Sequence, residues 1–149
     1  MISFSRRELE RAWRTAYSAS TVNPRTNAHR LLLFYAQECG LKAVVLKRRN
    51  EDFLSQPIMD EYSTKSVEHD LNKLLNILRA GKKLQLPTKL ELPALKTRTT
   101  ANGELKRPCE IGQINQAWRY GGVLDTPHDD QKMELALEDV HKWLEGELK

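Results

Sequence analysis

Cysteines and long apolar runs are both scarce in this chain. Only two of its 149 residues are cysteines, Cys39 inside an apolar stretch and Cys109 after a proline, which predicts reduced thiols rather than a disulfide framework. The longest apolar run covers six residues, 31–36, whereas about 20 are needed to cross a bilayer. The first residues lead straight into charged ones, so we expect no signal peptide, no membrane contact and a cytoplasmic location.

Motifs that mark many enzyme classes are also missing from the sequence. There is no phosphate-binding glycine loop, no zinc-type spacing of Cys and His, and no nucleophile elbow. Four carboxylates in the last amphipathic stretch have the spacing of a solvent-facing helix surface rather than of a catalytic pair: Glu134, Glu138, Asp139 and Glu145. We therefore expect neither a resident metal ion nor a cofactor.

The chain does have the composition of an ordinary globular domain, with 40% hydrophobic and 30% charged residues. Its length predicts one domain over residues 1–149. The net charge of +4 is unevenly distributed, because residues 81–108 carry seven basic and two acidic side chains, whereas residues 125–149 carry three and eight. This contrast fits complementary faces, an anionic partner, or simply solvated surfaces.

Apolar residues recur at helical spacing in five stretches. The predicted helices cover about 6–19, 27–49, 63–80, 110–120, and the C-terminal residues from Thr126 onward. The stretch 27–49 is apolar around most of its circumference, which predicts a central helix covered on more than one side. Gly40 inside it costs about 1 kcal/mol relative to alanine, so we expect a neighbouring helix to approach closely there.

Residues 82–108 break the helical pattern and carry much of the positive charge. Three prolines exclude a long helix, and Asn102-Gly103 is a strong hairpin signal between flanks at 95–101 and 104–107. The segment therefore predicts a basic β-hairpin inserted between helices. Its candidate nucleic-acid ligands are Lys96, Arg98, Lys106 and Arg107. The alternative is that these cations only protect a strand edge from pairing.

Three motifs occur in the order found in HEPN-type helical domains. Residues 35–46 resemble the Glu-x-x-Leu-Lys-Ala helix of that family, residues 68–75 resemble its His-Asp-Leu helix, and Arg119-Tyr120 resembles its Arg-Tyr element. Together the matching regions span residues 24–80 and 109–149. The resemblance implies a helical domain that works as a dimer or as a subunit of a larger complex. It also suggests a prokaryotic defence or toxin–antitoxin system, in which many family members serve.

Nuclease members of that family carry an arginine, four to six residues and then a histidine, and their chemistry needs no metal. Here three residues separate Arg25 from His29, and eight separate Arg119 from His128. Because neither spacing fits, the resemblance favours a binding module without catalytic residues. A divergent metal-independent ribonuclease is the alternative, and its candidate residues are Arg25, His29, His69 and Arg119.

The polar residues of the three motifs also have structural interpretations. His69 is expected to make a structural contact within its motif, and Arg119 could bond helix carbonyls while partly buried. Glu38 and Lys42, spaced i, i+4, form a favourable helix pair that could mark the polar seam of the central helix.

Taken together, the sequence predicts an all-α, up-and-down bundle of about five helices with a small β-hairpin insertion. The predicted function is that of a non-catalytic HEPN-like binding module in a prokaryotic complex. Its predicted partners are another protein or a second copy of the chain, with nucleic acid as a further ligand of the basic segment.

Overall fold

The computed structural model describes residues 2–54, 69–125 and 127–149. Its helices are α1 (Arg6–Ser20), α2 (Asn27–Arg49), α3 (Leu71–Ile77), α4 (Ile114–Arg119) and α5 (Asp130–Glu147). The strands are β1 (Phe4–Ser5), β2 (Phe53–Leu54), β3 (Leu90–Lys96) and β4 (Glu104–Cys109), and short 3-10 helices cover Lys82–Leu84 and Ile111–Gln113. The molecule is mostly helical with small β insertions, so the expected all-α class is too strict.

The first helix begins as its sequence predicts. The Ser5 hydroxyl accepts a hydrogen bond from the Glu8 amide at 3.1 Å, and the Glu8 carboxylate accepts one from the Ser5 amide at 3.0 Å. This reciprocal capping box satisfies two amides that the helix itself leaves without partners. Leu9 and Trp13 then point from α1 into the core.

The central helix α2 is buried along most of its length. Nearly every side chain from Leu33 to Leu46 is buried, which confirms a helix covered on several sides. The close approach expected at Gly40 is also present, because a Cβ there would lie 2.6 Å from Leu144 Cδ1 of α5 and 3.0 Å from Trp13 Cδ1 of α1. Gly40 therefore lets two neighbouring helices pack against the same point of α2.

The first strand pair is a feature that the sequence patterns do not predict. β1 and β2 pair antiparallel, with Phe4 opposite Leu54 and Ser5 opposite Phe53. Each strand has only two residues, too few for a period-2 pattern to be recognised. The pairing depends on the N-terminus lying beside the segment that follows α2, which only the tertiary fold determines.

The predicted hairpin is present between β3 and β4, but its turn differs from the expected one. The connection runs from Thr97 to Gly103, and the Gly103 amide closes a turn onto the Thr100 carbonyl at 3.1 Å. Asn102-Gly103 therefore lies at the end of a seven-residue loop rather than forming a two-residue turn. Threonine side chains stabilise this longer loop, since the Thr100 hydroxyl donates to the Glu104 carbonyl at 2.8 Å.

An irregularity in β3 determines which hairpin side chains share a face. Leu92 pairs with Arg107 and Leu95 pairs with Leu105, so two residues of β3 oppose one residue of β4. This is the count of a β-bulge, and it accommodates Pro93, which has no amide to donate. Leu92, Leu95, Leu105 and Arg107 consequently share one face, whereas Lys96 and Glu104 lie on the other.

Two predicted helices begin later than the sequence suggests, and the predicted start of a third lies outside the described residues. α3 begins at Leu71 behind the cap Asp70, whose carboxylate accepts from the Lys73 amide at 3.2 Å, and the start expected at 63–66 lies outside the described residues. α4 follows a 3-10 turn, and α5 begins at Asp130 behind the cap Asp129. The Asp129 cap fixes the later start of α5, and it competes with the start expected at Thr126.

Across the described ranges, no helix is both long enough and apolar enough to span a membrane.

Candidate functional site

Glu38 of α2 is the centre of a polar cluster in which two of the family-like motifs meet. Glu38 is only 8% exposed. Its carboxylate nevertheless has two partners that carry, or can carry, a positive charge. His69 Nδ1, just before α3, lies 2.8 Å from Glu38 Oε1, and Lys42 Nζ lies 3.3 Å from Oε2. These contacts satisfy a buried carboxylate that would otherwise be costly. They agree with the structural roles expected for His69 and for the Glu38–Lys42 pair.

Tyr35 brings the third motif to the same place. The Arg119 guanidinium at the end of α4 donates to the Tyr35 hydroxyl at 2.6 Å, and the Tyr35 ring meets the His69 ring edge-on with centroids 6.4 Å apart. Arg119 is exposed, and its bond to Tyr35 raises the pKa of the guanidinium. The expected bond from a partly buried Arg119 to helix carbonyls is wrong, since Arg119 is exposed and its partner is Tyr35 of α2.

The four residues proposed for a nuclease site thus fall into two separate groups. Arg119 and His69 each contact Tyr35, one through its hydroxyl and the other through its ring. Arg25 instead donates to the Ser20 carbonyl at 2.7 Å and to the Glu138 carboxylate. His29 turns back onto the start of α2, where its Nδ1 accepts from the Thr26 amide at 3.2 Å.

A second polar network, which the sequence patterns do not reveal, joins α1 to α5. The Trp13 indole donates to His141 Nδ1 at 3.2 Å, and the Tyr17 ring stacks on the His141 ring at 3.4 Å. The Tyr17 hydroxyl donates to Glu138 at 2.7 Å. Burial, followed by this bond, raises the pKa of Tyr17 to about 12, and burial lowers the pKa of His141. This network orders the core rather than offering an open site.

Carboxylates of α5 pair with arginines around the central helix. Arg25 pairs with Glu138, and Arg30 Nε lies 3.1 Å from Glu134 Oε1. Arg48 reaches Glu147 at 3.4 Å. The expectation that Glu134 and Glu138 face solvent is therefore wrong, because both are partly buried in ion pairs. Two other carboxylates of that set, at positions 139 and 145, are exposed.

The basic hairpin shows the opposite behaviour. The segment that contains it has seven cations, of which the first three precede β3: Lys82, Lys83, Lys89, Lys96, Arg98, Lys106 and Arg107. None of these seven forms an ion pair within the described residues. The four proposed ligands do not form one row, because Arg98 lies in the loop and Lys106 and Arg107 alternate between faces. Arg107 is further held in place by a 2.8 Å bond from its Nε to the Pro93 carbonyl.

A cleft of about 280 Å³ lies between the base of this hairpin and α4. Leu92, Arg107, Gln113, Gln116, Tyr120 and Gly122 are among the residues that line it. Tyr120 caps α4 and is 78% exposed, the largest value among the described large hydrophobic residues. The cleft was not predicted, because it forms only when the hairpin packs against a helix that follows it in the chain.

Two consecutive glycines shape the wall of this cleft. The Gly121 amide bonds the Trp118 carbonyl, and the Gly122 amide bonds the Ala117 carbonyl at 2.6 Å, which together form a Schellman end to α4. Gly121 has a φ of +80°, a conformation that glycine adopts at little cost. A Cβ on Gly122 would lie 2.6 Å from Leu92 Cδ2, so this glycine lets the hairpin approach α4.

No family model, no curated protein and no solved structure matches this chain. The resemblance to HEPN domains therefore depends on the three motifs and stays a prediction.

Proposed function

We propose that this protein is a non-catalytic HEPN-like binding module, and that its basic hairpin binds the phosphate backbone of a nucleic acid. One observation carries the proposal: the seven cations of residues 82–107 have no ion-pair partner among the described residues, whereas four carboxylates of α5 pair with arginines. A segment whose positive charges are not paired attracts a polyanion and releases its counterions.

The arrangement of these cations suits backbone binding better than sequence recognition. Lys96, Arg98 and Lys106 are exposed, and they lie at the end of β3, in the connecting loop and in β4. Flexible cations at such positions can follow phosphates, but they do not form the fixed bidentate pairs that identify bases. We therefore expect binding that depends strongly on salt and weakly on nucleotide sequence.

Two contacts between the motifs support the HEPN assignment. His69 bonds Glu38, and Arg119 bonds Tyr35, so the motif residues are spatial neighbours although they are separated in the sequence. On this assignment the protein acts in the cytoplasm as a homodimer or as a subunit of a prokaryotic complex, in a defence or toxin–antitoxin setting. Light scattering of the purified protein, alone and after co-purification, would measure the stoichiometry directly.

The test of nucleic-acid binding compares two triple variants of equal charge. Replacing Lys96, Arg98 and Lys106 with alanine should weaken binding of a labelled oligonucleotide and flatten the dependence of log K on log salt concentration by about two to three units. The control variant replaces Arg7, Arg11 and Lys142, three exposed cations on the helices. Equal losses in both variants, or no binding by the intact protein at low salt, would contradict the proposal.

A divergent metal-independent ribonuclease is the second candidate function. The observation that favours it is the contact of both Arg119 and His69 with Tyr35. In that function the exposed guanidinium would bind the scissile phosphate, His69 would transfer the proton, and Glu38 would orient the imidazole.

Cleavage assays separate the two functions. If the second candidate is correct, purified protein should degrade RNA in the presence of a chelator, and His69→Asn and Arg119→Ala should both abolish the cleavage. His29→Ala is the matched control, because His29 bonds only the start of α2 in the described structure. Intact RNA after prolonged incubation with the unmodified protein would leave the binding module as the function.

A further inference from the structure

We infer that the cleft between the hairpin base and α4 receives one unpaired nucleobase, which stacks on Tyr120. The ligand would then be single-stranded RNA or DNA rather than a duplex. This inference rests on the proposed function, because it assumes that the hairpin binds phosphates, and it adds a site that distinguishes one nucleic-acid form from the other.

The exposure of Tyr120 is the first argument. Tyr120 is 78% exposed beside a cleft, whereas Tyr17 stacks on His141 and donates to Glu138, both on α5. Its backbone is nevertheless fixed, because its amide bonds the Gln116 carbonyl at 3.0 Å and the Schellman turn follows. A solvent-facing aromatic ring on an ordered backbone offers a surface on which any base can stack.

The size and lining of the cleft provide the second argument. Its volume of about 280 Å³ falls just below the ~300–1,000 Å³ of pockets for drug-sized ligands, so it suits one flat ring system. The lining combines Leu92 and Gly122 with two exposed glutamines, Gln113 and Gln116. A lining of apolar and amide groups matches the faces and the edges of a nucleobase.

Arg107 connects the cleft with the proposed backbone path. It belongs to β4 and also lines the cleft, and its Nε is held by the Pro93 carbonyl at 2.8 Å. The remaining two nitrogens of the guanidinium can then bind the phosphate attached to a base in the cleft. A strand lying along the hairpin therefore passes the entrance of the cleft.

This geometry requires a base that has left its stack. In a duplex the faces of the bases are covered by their neighbours and the pairing edges are occupied, so stacking on a protein ring needs a base that is splayed out. Basic residues on the hairpin do not make this distinction, since both forms of nucleic acid carry phosphates. The two sites therefore predict different ligand preferences, and they can be tested separately.

Fluorescence anisotropy with labelled 12-nucleotide RNA and DNA single strands, and with the matching duplexes, tests the inference. Tyr120→Ala should weaken single-strand binding by about tenfold, within the range found for stacking on an aromatic side chain, and should leave duplex binding unchanged. Tyr120→Phe should retain most of the affinity, because it keeps the ring. Leu135→Ala, which removes another exposed apolar side chain on α5, is the matched control and should have no effect.

The outcomes keep this inference distinct from the proposed function. If Tyr120→Ala changes neither ligand, or weakens both equally, the base site is wrong, even when the hairpin variant still loses binding. If the unmodified protein binds no nucleic acid at low salt, both proposals are wrong. Circular dichroism of Tyr120→Ala should match that of the unmodified protein, since the substituted side chain is exposed.

Discussion

The acidic helix α5 and the basic β3–β4 hairpin differ in what becomes of their charges. On α5, Glu134, Glu138 and Glu147 lie against arginines of the chain's own N-terminal half. On the hairpin, no cation forms an ion pair within the described ranges, although Lys96 lies opposite Glu104 in the register. Residues 125–149 and 81–108 carry net charges of −5 and +5. These charges of equal size have different consequences, because one set is used in folding and the other stays available for a partner.

The comparison teaches that the sign of a charged segment does not by itself identify a binding surface. Removing one partner of a partly buried ion pair is destabilising, because the charge that remains is poorly solvated. Exposed cations without partners contribute almost nothing to stability, and they interact with whatever anion approaches. The expected effects of substitution therefore differ between the two regions, both in size and in the property affected.

The largest expected effect comes from separating α5 from α2. Gly40→Leu would place a side chain where Trp13 and Leu144 already lie within 3.0 Å of a single added carbon. We expect the free energy of unfolding to fall by roughly 3 kcal/mol or more, at the upper end of overpacking. Urea denaturation measures this change. Gly40→Ala should cost less, since the Leu144 side chain can move, and a melting temperature unchanged by leucine would contradict the close approach.

The next effect tests one ion pair of α5. Glu138→Ala would leave the Arg25 guanidinium, whose side chain is only 13% exposed, and the Tyr17 hydroxyl without their carboxylate. We expect a loss of roughly 1–3 kcal/mol in urea denaturation, because the stranded groups lose partners in a partly buried place. Asp139→Ala is the control, as its carboxylate is exposed on the same helix. Similar losses in both variants would show that the Arg25–Glu138 ion pair contributes no more to stability than an exposed carboxylate does.

Local patterns were sufficient to predict the helices of this chain and the hairpin between them. The start of α1 at Arg6 and the apolar circumference of α2 depend on residues close in sequence, and both are present. The bulge at Pro93 and the seven-residue loop were not predictable, because several turn types are compatible with Asn102-Gly103. The start of α5 also shifted, because Asp129 supplied its cap.

The partners of the candidate sites could not be predicted in the same way. The sequence separation is 113 residues between Arg25 and Glu138, and 84 between Tyr35 and Arg119. No spacing rule links residues so far apart, so a carboxylate that faces an arginine looks the same in the sequence as one that faces water. The cleft beside Tyr120 could not be predicted for the same reason, because it forms where Leu92 of β3 approaches Gly122 closely.

A smaller effect concerns the pH dependence of the contact between α1 and α5. Burial lowers the pKa of His141 below its usual 6.5, while Glu145 and Glu138 act in the opposite direction. The neutral imidazole, which accepts from Trp13, is therefore favoured in the folded state. Its stabilising contribution is complete above about pH 6.5 and is lost as the pH falls through the folded-state pKa.

Thermal unfolding between pH 7.5 and pH 5 measures this dependence. The unmodified protein should lose stability over that range, and His141→Gln should lose less of it, because glutamine does not titrate. The hairpin carries no histidine, so its variants should keep the pH dependence of the unmodified protein. Identical pH profiles for the unmodified protein and His141→Gln would exclude His141 as the source.

The smallest expected effect completes the comparison. Replacing Lys96, Arg98 and Lys106 with alanine should change the free energy of unfolding by less than about 0.5 kcal/mol, because exposed side chains without partners rarely contribute more. The sign could even be stabilising, since nearby like charges repel one another at low salt. Urea denaturation at low and at high salt measures both the size and the sign. A loss as large as that of Glu138→Ala would mean that the hairpin cations support the fold, and the contrast on which the proposed function depends would disappear.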